Sequence, residues 1–475
     1  MTASRNTSDS IGPSSLTPGS VTVHKFGGTS VGGPDQFCQV RDIIVRLLHL
    51  DGEKPLVVVS AMAGVTSKLY ACISHANERK EFDEILSEIS SSHVDCVRTC
   101  LGQGQEERML AIEKSIKSDI CTIAKHLQII KSSSSHQCPD LISDVIVSYG
   151  EIWSAQILAA LLAAAAVRSC WINARDFLFL QNSSKEVRVD WKRSHCPFFP
   201  PEVQIAVITG FLATSAAGLP TTLKRNGSDH SGAIVANLAN AKSLIIWTDV
   251  DGIYSADPRL VKTAKKLNCM SYKEAAELAY FGAKVIHPQT VAPCVSKSIP
   301  VILRNTFNLN SEGTTISSTA PGEIRAVTII PRVALVNVEG SGLFGFSGIA
   351  AKLFAAVSAA ETNIIMITQA SSEYSICFAV PQADAGVCED AVRLAFASEI
   401  EDKCIEVSRD SAAIVAIVGD GMHRQKGFLG KLATALGEDG VNIRAVAQGS
   451  SERNITFVVN EEDGVKALSS LHSVL

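Results

Sequence analysis

The stretch 209–259, TGFLATSAAGLPTTLKRNGSDHSGAIVANLANAKSLIIWTDVDGIYSADPR, constrains the fold more than any other. It opens where an apolar run, 203–208, meets Gly210. A loop of small polar residues then leads from Thr221 and Thr222 to Ser231. Residues 231–241 are Ala-rich and read as a helix; 243–247 is a second apolar run, ending in Thr248, Asp249, Asp251 and Gly252. Two buried strands flanking a helix predict a parallel βαβ unit. In open α/β sheets a ligand lies outside the carboxyl ends of the strands, and both loops there carry donors and carboxylates.

The same pattern recurs along the first three hundred residues. Residues 21–26 alternate and meet Gly27 and Gly28, with Lys25 at the tip. Glycines let the backbone approach a ligand, and successive N–H groups form an anion nest. Residues 34–49 read as a helix, and 55–60 (PLVVVS) as a fully apolar strand ending in Ser60 and running on to Thr66. Residues 67–131 are helical and amphipathic. Residues 144–149 read as a strand, with Glu151 at the start of an apolar helix, 154–167. Residues 170–173 form a short strand followed by Arg175 and Asp176. Residues 271–278 read as a helix leading to Lys284, and 299–305 as one more buried strand. Strands near 22, 57, 146, 171, 206, 245 and 302 alternating with helices predict a doubly wound α/β domain.

Composition narrows the function. The chain has 475 residues, enough for two or three domains; 46% are hydrophobic and 19% charged, so a large core forms. A net charge of -5 excludes a sequence-blind polyanion binder and leaves any anion site to a few local cations. Thirteen cysteines, an odd number without C-x-x-C, read as reduced thiols of an intracellular protein. Cys96 and Cys100 alone make a poor metal site. The most apolar run, 157–167, is short of a membrane span. Residues 1–20 lack an apolar h-region and are expected to be a disordered tail.

The C-terminal part repeats itself. Shifted by 79 residues, 333–380 falls on 412–459 without a gap, with Gly340 on Gly419, Gly348 on Gly427, Asn363 on Asn442 and Gln369 on Gln448. Matching Gly, Asn and Gln at one offset marks two copies of a small α+β module.

The polar groups at the strand ends (Lys25 with its Gly turn, 60–66, Glu151, 225–229, 248–257 and Lys284) suit a polyphosphate beside a small carboxylate. Phosphoryl transfer calls for positioning and charge neutralisation. Neither a P-loop nor a G-x-G-x-x-G is present. The residues alone point to a kinase of a small carboxylate.

KFGGTSV (25–31), SAMAGVT (60–66), GE (150–151), TTLKRNGSD (221–229), WTDVDGIYSADPR (247–259) and FGAKVIHP (281–288) resemble, in order, the motifs of aspartate kinases. The repeat resembles their paired ACT domains. The style is most similar to the kinase portion of bifunctional aspartate kinase–homoserine dehydrogenases. The resemblance implies an amino-acid-kinase domain over 21–320 and ACT domains over 327–405 and 406–475. It implies ATP with Mg²⁺, and L-aspartate as acceptor. Lys25, Gly27 and Gly28 would face the transferring phosphoryl group. Ser60, Thr66, Glu151, Arg225 and Ser228 would hold aspartate, with Glu151 on its amino group and Arg225 on its α-carboxylate, and Asp229 would organise the site. Thr248, Asp249, Tyr254, Asp257, Arg259 and Lys284 would bind ATP. Asn363, Gln369, Asn442 and Gln448 would line effector sites for threonine or lysine.

Lys25, Asp229 and Lys284 are thus the expected catalytic residues. No protein-only metal site, nucleic-acid partner or membrane partner is expected. A homo-oligomer through the ACT domains is, with a cytoplasmic location and plastid as the alternative. Asn173 stands where the family has Asp, and Gly232 where Ala is common. The chain stops at Leu475 without a dinucleotide fingerprint, so no dehydrogenase activity is expected. The competing readings are a kinase of another acidic amino acid and a catalytically silent amino-acid sensor.

Overall fold

The computed structural model describes residues 21–50, 54–133, 139–182, 187–197, 200, 202–224, 227–282, 286, 288–319, 326–340, 348–369 and 375–475. The tail expected at 1–20 lies outside them. The chain divides into two compact units, Met1–Gly252 with Gln289–Ser318, and Ile253–Pro288 with Thr319–Leu475. One boundary falls at Ser318/Thr319, and the inserted segment Ile253–Pro288, which carries Tyr254, Asp257 and Arg259, clusters with the repeat.

The first unit is built on strands β1 (Val21–Phe26), β2 (Lys54–Val59), β3 (Ser169–Ile172), β4 (Ile205–Thr209), β5 (Ser243–Thr248), β6 (Val301–Asn305) and β7 (Thr314–Ser317), in the order β3-β4-β2-β1-β5-β6-β7. Every pairing from β3 to β6 is parallel; β7 runs antiparallel to β6. Strand β1 is central and buried at all six positions, Thr22, His24 and Lys25 included. A parallel strand covered on both faces has no solvent side, so its apparent alternation has no wet face to match. Trp247 stacks on Phe26 with centroids 5.6 Å apart and donates its indole N–H to His24 Nδ1 at 3.1 Å.

One expected strand is absent. Residues 144–149 belong to a single helix, Asp140–Ala164, of 25 residues. A short apolar run buries equally well in either form, and periodicity alone does not separate them. Gly150 is a close-contact position: a Cβ there would stand 2.7 Å from the Ala61 Cβ. By length and composition this helix is long and apolar enough to cross a membrane, which the 157–167 reading missed; 72% of its apolar window is buried inside the fold.

The second unit holds the two repeat modules in one antiparallel sheet. Its strands are β8 (Ala326–Glu339), β9 (Met366–Gln369), β10 (Ser375–Pro381), β11 (Glu406–Val418), β12 (Ala445–Gln448) and β13 (Asn454–Asn460), in the order β9-β10-β8-β11-β13-β12. The repeat extends to packing. Leu353, Val357 and Phe378 are buried in one module's core, and Leu432, Leu436 and Phe457 in the other's. The first helix of each module follows a glycine in the left-handed region, Gly348 (φ 94°) and Gly427 (φ 78°), where a residue with a Cβ is strained.

Candidate active site

The parallel register sets the geometry. Phe26 lies opposite Val59 and Trp247, Val59 opposite Thr209, and Thr248 opposite Asn305. The residues that follow, Gly27, Ser60, Gly210 and Asp249, therefore leave the sheet at one edge.

Lys25 is the centre of this edge. Its side chain is only 6% exposed, and its Nζ pairs with Asp229 Oδ1 from the first turn of helix Gly227–Leu238. Gly232 of that helix lies against the lysine stem, where a Cβ would stand 3.1 Å from the Lys25 Cβ. The glycine that departs from the family pattern thus makes room for the lysine. The Gly27 amide, expected to face a ligand, donates to the Trp247 carbonyl at 3.2 Å. Gly27 contributes space instead: a Cβ would stand 3.5 Å from Lys25 Nζ.

Across the edge, Ser60 Oγ donates to Ser228 Oγ at 2.8 Å. Gly210 permits this approach, since a Cβ there would stand 2.9 Å from the Ser228 Cβ. Thr66 is half-buried in the first turn of helix Val65–Asn77.

Glu151 lies in mid-helix, not at a helix start. It is 4% exposed, its carboxylate accepts from the Ala61 backbone N–H, and its Oε2 has no hydrogen-bond partner among the described residues. Burial pushes its carboxyl up to about 8, against the Ala61 and Glu151 amides and the charges of Lys25 and Arg175. A buried carboxylate short of a partner is costly unless a cation arrives.

Two further residues of this site were not singled out from sequence. Asp144, seven residues before Glu151 and hence on the same helix face, accepts from Thr221 Oγ1 at 2.9 Å, Thr222 Oγ1 at 3.0 Å and Lys224 Nζ at 3.2 Å. Arg175 donates to the Asp144 carbonyl at 3.4 Å. Reading 140–164 as one helix exposes the seven-residue spacing; reading a strand hides it. Asp144→Ala is expected to cost about 2–3 kcal/mol, because Lys224 and two hydroxyls lose a buried acceptor. Urea unfolding checks this, and an unchanged midpoint refutes the clamp.

Of the residues expected to bind ATP, Thr248 and Asp249 belong to the first unit. Thr248 Oγ1 donates to Asp249 Oδ1 at 3.2 Å, and Asp251 Oδ1 accepts from Asn305 Nδ2 at 2.7 Å. Tyr254, Asp257 and Arg259 belong to the second unit. There Arg259 folds back on Asp257 at 2.7 Å, holding that carboxyl below its usual range. Arg225 and Lys284 lie outside the described residues. Asn363, Gln369, Asn442 and Gln448 are all exposed, each pair at matching places of the two modules.

The amino acid kinase family model matches residues 20–305, and an ACT-domain model matches 336–396 and 415–475. The chain is 38% identical over 467 residues to the chloroplastic bifunctional aspartokinase/homoserine dehydrogenase 1 of Arabidopsis thaliana, covering 95% of this chain and 50% of the relative. It thus spans about half the length of that relative. E. coli aspartokinase III, solved with aspartate and ADP, superposes with a TM-score of 0.76 at 25% identity, covering 96% of this chain and 99% of the other. The same enzyme solved with lysine and aspartate also gives a TM-score of 0.76 at 25% identity, with 96% and 99% covered. The chain belongs to the amino acid kinase family, with the kinase domain followed by two ACT domains as in aspartokinases.

Proposed function

We propose that this chain transfers the γ-phosphoryl group of ATP to the β-carboxylate of L-aspartate, giving 4-phospho-L-aspartate and ADP. The observation that carries the reading is the unpartnered, buried Glu151 oxygen beside the Lys25–Asp229 pair at the edge where the parallel strands end. That is a receptor for an ammonium next to a cation for a phosphate.

In the step, a β-carboxylate oxygen forms the new O–P bond and the bond between the γ-phosphorus and the β–γ bridging oxygen breaks. ADP leaves with the electron pair. Lys25 neutralises charge on the moving phosphoryl group. Glu151 receives the substrate ammonium and Arg225 its α-carboxylate, with Ser60, Thr66 and Ser228 beside them and Asp229 holding Lys25. Thr248, Asp249, Tyr254, Asp257, Arg259 and Lys284 serve the nucleotide. Mg²⁺ arrives with ATP, since it is usually held by substrate phosphates, water and one or two carboxylates. The E. coli relative solved with aspartate and ADP supports this choice of substrates.

Regulation through the ACT modules forms part of the proposal. Helix Tyr272–Tyr280, which leads to Lys284, is bonded to both modules. Ser271 Oγ donates to Asp420 Oδ2 at 2.8 Å, Glu274 Oε1 accepts the Asp420 N–H at 2.8 Å, and Tyr280 donates to the Ile365 carbonyl at 2.9 Å. An amino-acid effector at Asn363 and Gln369, or at Asn442 and Gln448, acts beside these bonds. The ACT domains are also the proposed surface for homo-oligomers.

ADP release with L-aspartate, with L-glutamate and with neither tests the activity. Aspartate-dependent release is expected; its absence removes the proposal, and preference for glutamate moves it to another acidic amino acid. Threonine, lysine or both are expected to inhibit. Full activity at millimolar concentrations of each removes the regulatory part.

A further inference from the structure

The segment 253–267 is built into the core of the second module. Ala256 and Val261 are buried in one cluster with Val327, Leu468 and Leu471. Between these two anchors the chain turns and leaves the core. The Asp257 carbonyl accepts the N–H groups of Leu260 at 3.0 Å and Val261 at 2.8 Å; Asp257 is half-buried and 258–260 are exposed. The turn thus carries Asp257 and Arg259 outward on two buried feet. Ser255 belongs to the first foot. Its N–H donates to the Lys265 carbonyl at 2.8 Å, its carbonyl accepts the Val327 N–H at 2.7 Å, and its Oγ accepts the Lys265 N–H at 2.9 Å.

His472, in the last turn of helix Gly464–Ser473, completes the anchorage. Its Nε2 lies 2.9 Å from Ser255 Oγ and its Nδ1 3.4 Å from Thr263 Oγ1, so the ring bridges the two limbs of the segment. The Ser255 hydroxyl already accepts the Lys265 N–H, which leaves its own proton to donate to Nε2. Burial, and then the nearby Lys265 charge, hold the imidazole below its usual range, in keeping with a neutral ring that accepts from Ser255. The repeat offset places Arg393 at this position of the first module, and Arg393 bonds to Glu389 and to the Val407 carbonyl instead. The bridge is a feature of the second copy.

We propose that His472 is a positioning residue for the nucleotide: it holds Ser255, and through Ser255 the turn that offers Tyr254, Asp257 and Arg259 to ATP. This rests on the proposed function, in which those three residues serve the nucleotide. The last helix of the second module is then part of nucleotide binding. A loop that must be ordered at the moment of binding costs affinity, and the bridge orders this one beforehand. Loss of the bridge weakens ATP binding and leaves the contacts of aspartate as they are.

The test measures KM for ATP and for L-aspartate, and by calorimetry the Kd of ATP without aspartate, in wild type, His472→Ala, His472→Gln, Ser255→Ala and the double variant His472→Ala/Ser255→Ala. One buried hydrogen bond corresponds to about a three- to tenfold change in affinity. His472→Ala is expected to raise KM and Kd for ATP by about that factor, with KM for aspartate within about twofold of wild type. His472→Gln keeps an acceptor within reach of Ser255 and is expected to recover most of the loss. Because His472 acts through Ser255, the double variant is expected to bind ATP about as well as Ser255→Ala alone. Unchanged ATP constants, an equal rise for both substrates, or additive losses overturn the proposal. Should His472→Ala not fold, Ser255→Ala removes the same bond and is expected to show the same split of ATP against aspartate. If wild type shows no aspartate-dependent turnover, the proposed function fails and the calorimetry still decides the role of His472; a wild type that binds no ATP overturns both.

Discussion

Lys25→Ala is expected to lower kcat by about 10²–10³-fold, with a smaller change in KM for aspartate. Phosphoryl transfer asks the protein chiefly to place and neutralise charge, and one well-placed donor to developing charge contributes about 3–4 kcal/mol. Lys25 is placed by packing as well as by pairing. Its stem runs beneath Gly232, its amine lies beside Gly27, and Asp229 fixes its end. No other described residue on this edge offers a cation so enclosed. Lys25→Arg is expected to fail nearly as badly, because the forked guanidinium needs room that the two glycines leave for a single amine. Single-turnover kinetics at saturating ATP and aspartate reads the effect. A rate within tenfold of wild type refutes the role. Thermal unfolding of the variant checks that lost activity is not lost folding, since truncating the lysine leaves Asp229 without its cation.

What the sequence made legible follows from where its signals are local. Strands β2, β4, β5 and β6 are apolar runs that meet small, polar or Pro residues at an end (Ser60, Gly210, Asp249 and Pro300), and a buried parallel strand has little other way to look. The repeat was legible because glycines at Gly348 and Gly427 answer a backbone demand, a positive φ, that few residues meet. The helix Asp140–Ala164 was not. The six residues 144–149 satisfy strand and helix alike, and what decides between them is Gly150 meeting Ala61, a contact far apart in sequence. The same misreading hid Asp144, which shares a face with Glu151 only once 140–164 is a single helix. The Gly27 amide was assigned to a ligand from its motif, and its use by the Trp247 carbonyl follows from strand pairing that no motif records.

Glu151→Gln is expected to abolish aspartate-dependent turnover by at least about two decades while making the ligand-free protein more stable at neutral and alkaline pH. The two effects share one cause. The carboxyl is ordinary, near 4.5, in the unfolded chain and pushed up to about 8 in the fold, chiefly by burial. Between those values the unfolded chain has released the proton and the folded one retains it. The folded state therefore binds more protons, and stability falls as pH rises through that window. Below about 4.5 the group is neutral in both states and contributes nothing of this kind. A glutamine has no charge to lose, so the stability gap between variant and wild type should open across this range and level off above about pH 8. Its height is on the order of 3 kcal/mol, after allowing for the amide's own burial. Urea unfolding at pH 5, 7 and 9 measures it, and a gap that does not grow with pH sinks the account. For substrate binding the sign reverses: an arriving ammonium needs the anion, so kcat/KM for aspartate in the wild type should rise with pH toward about 8. The site keeps an acid that the fold alone would neutralise, and under the proposed function the cation that matches it is the substrate's own.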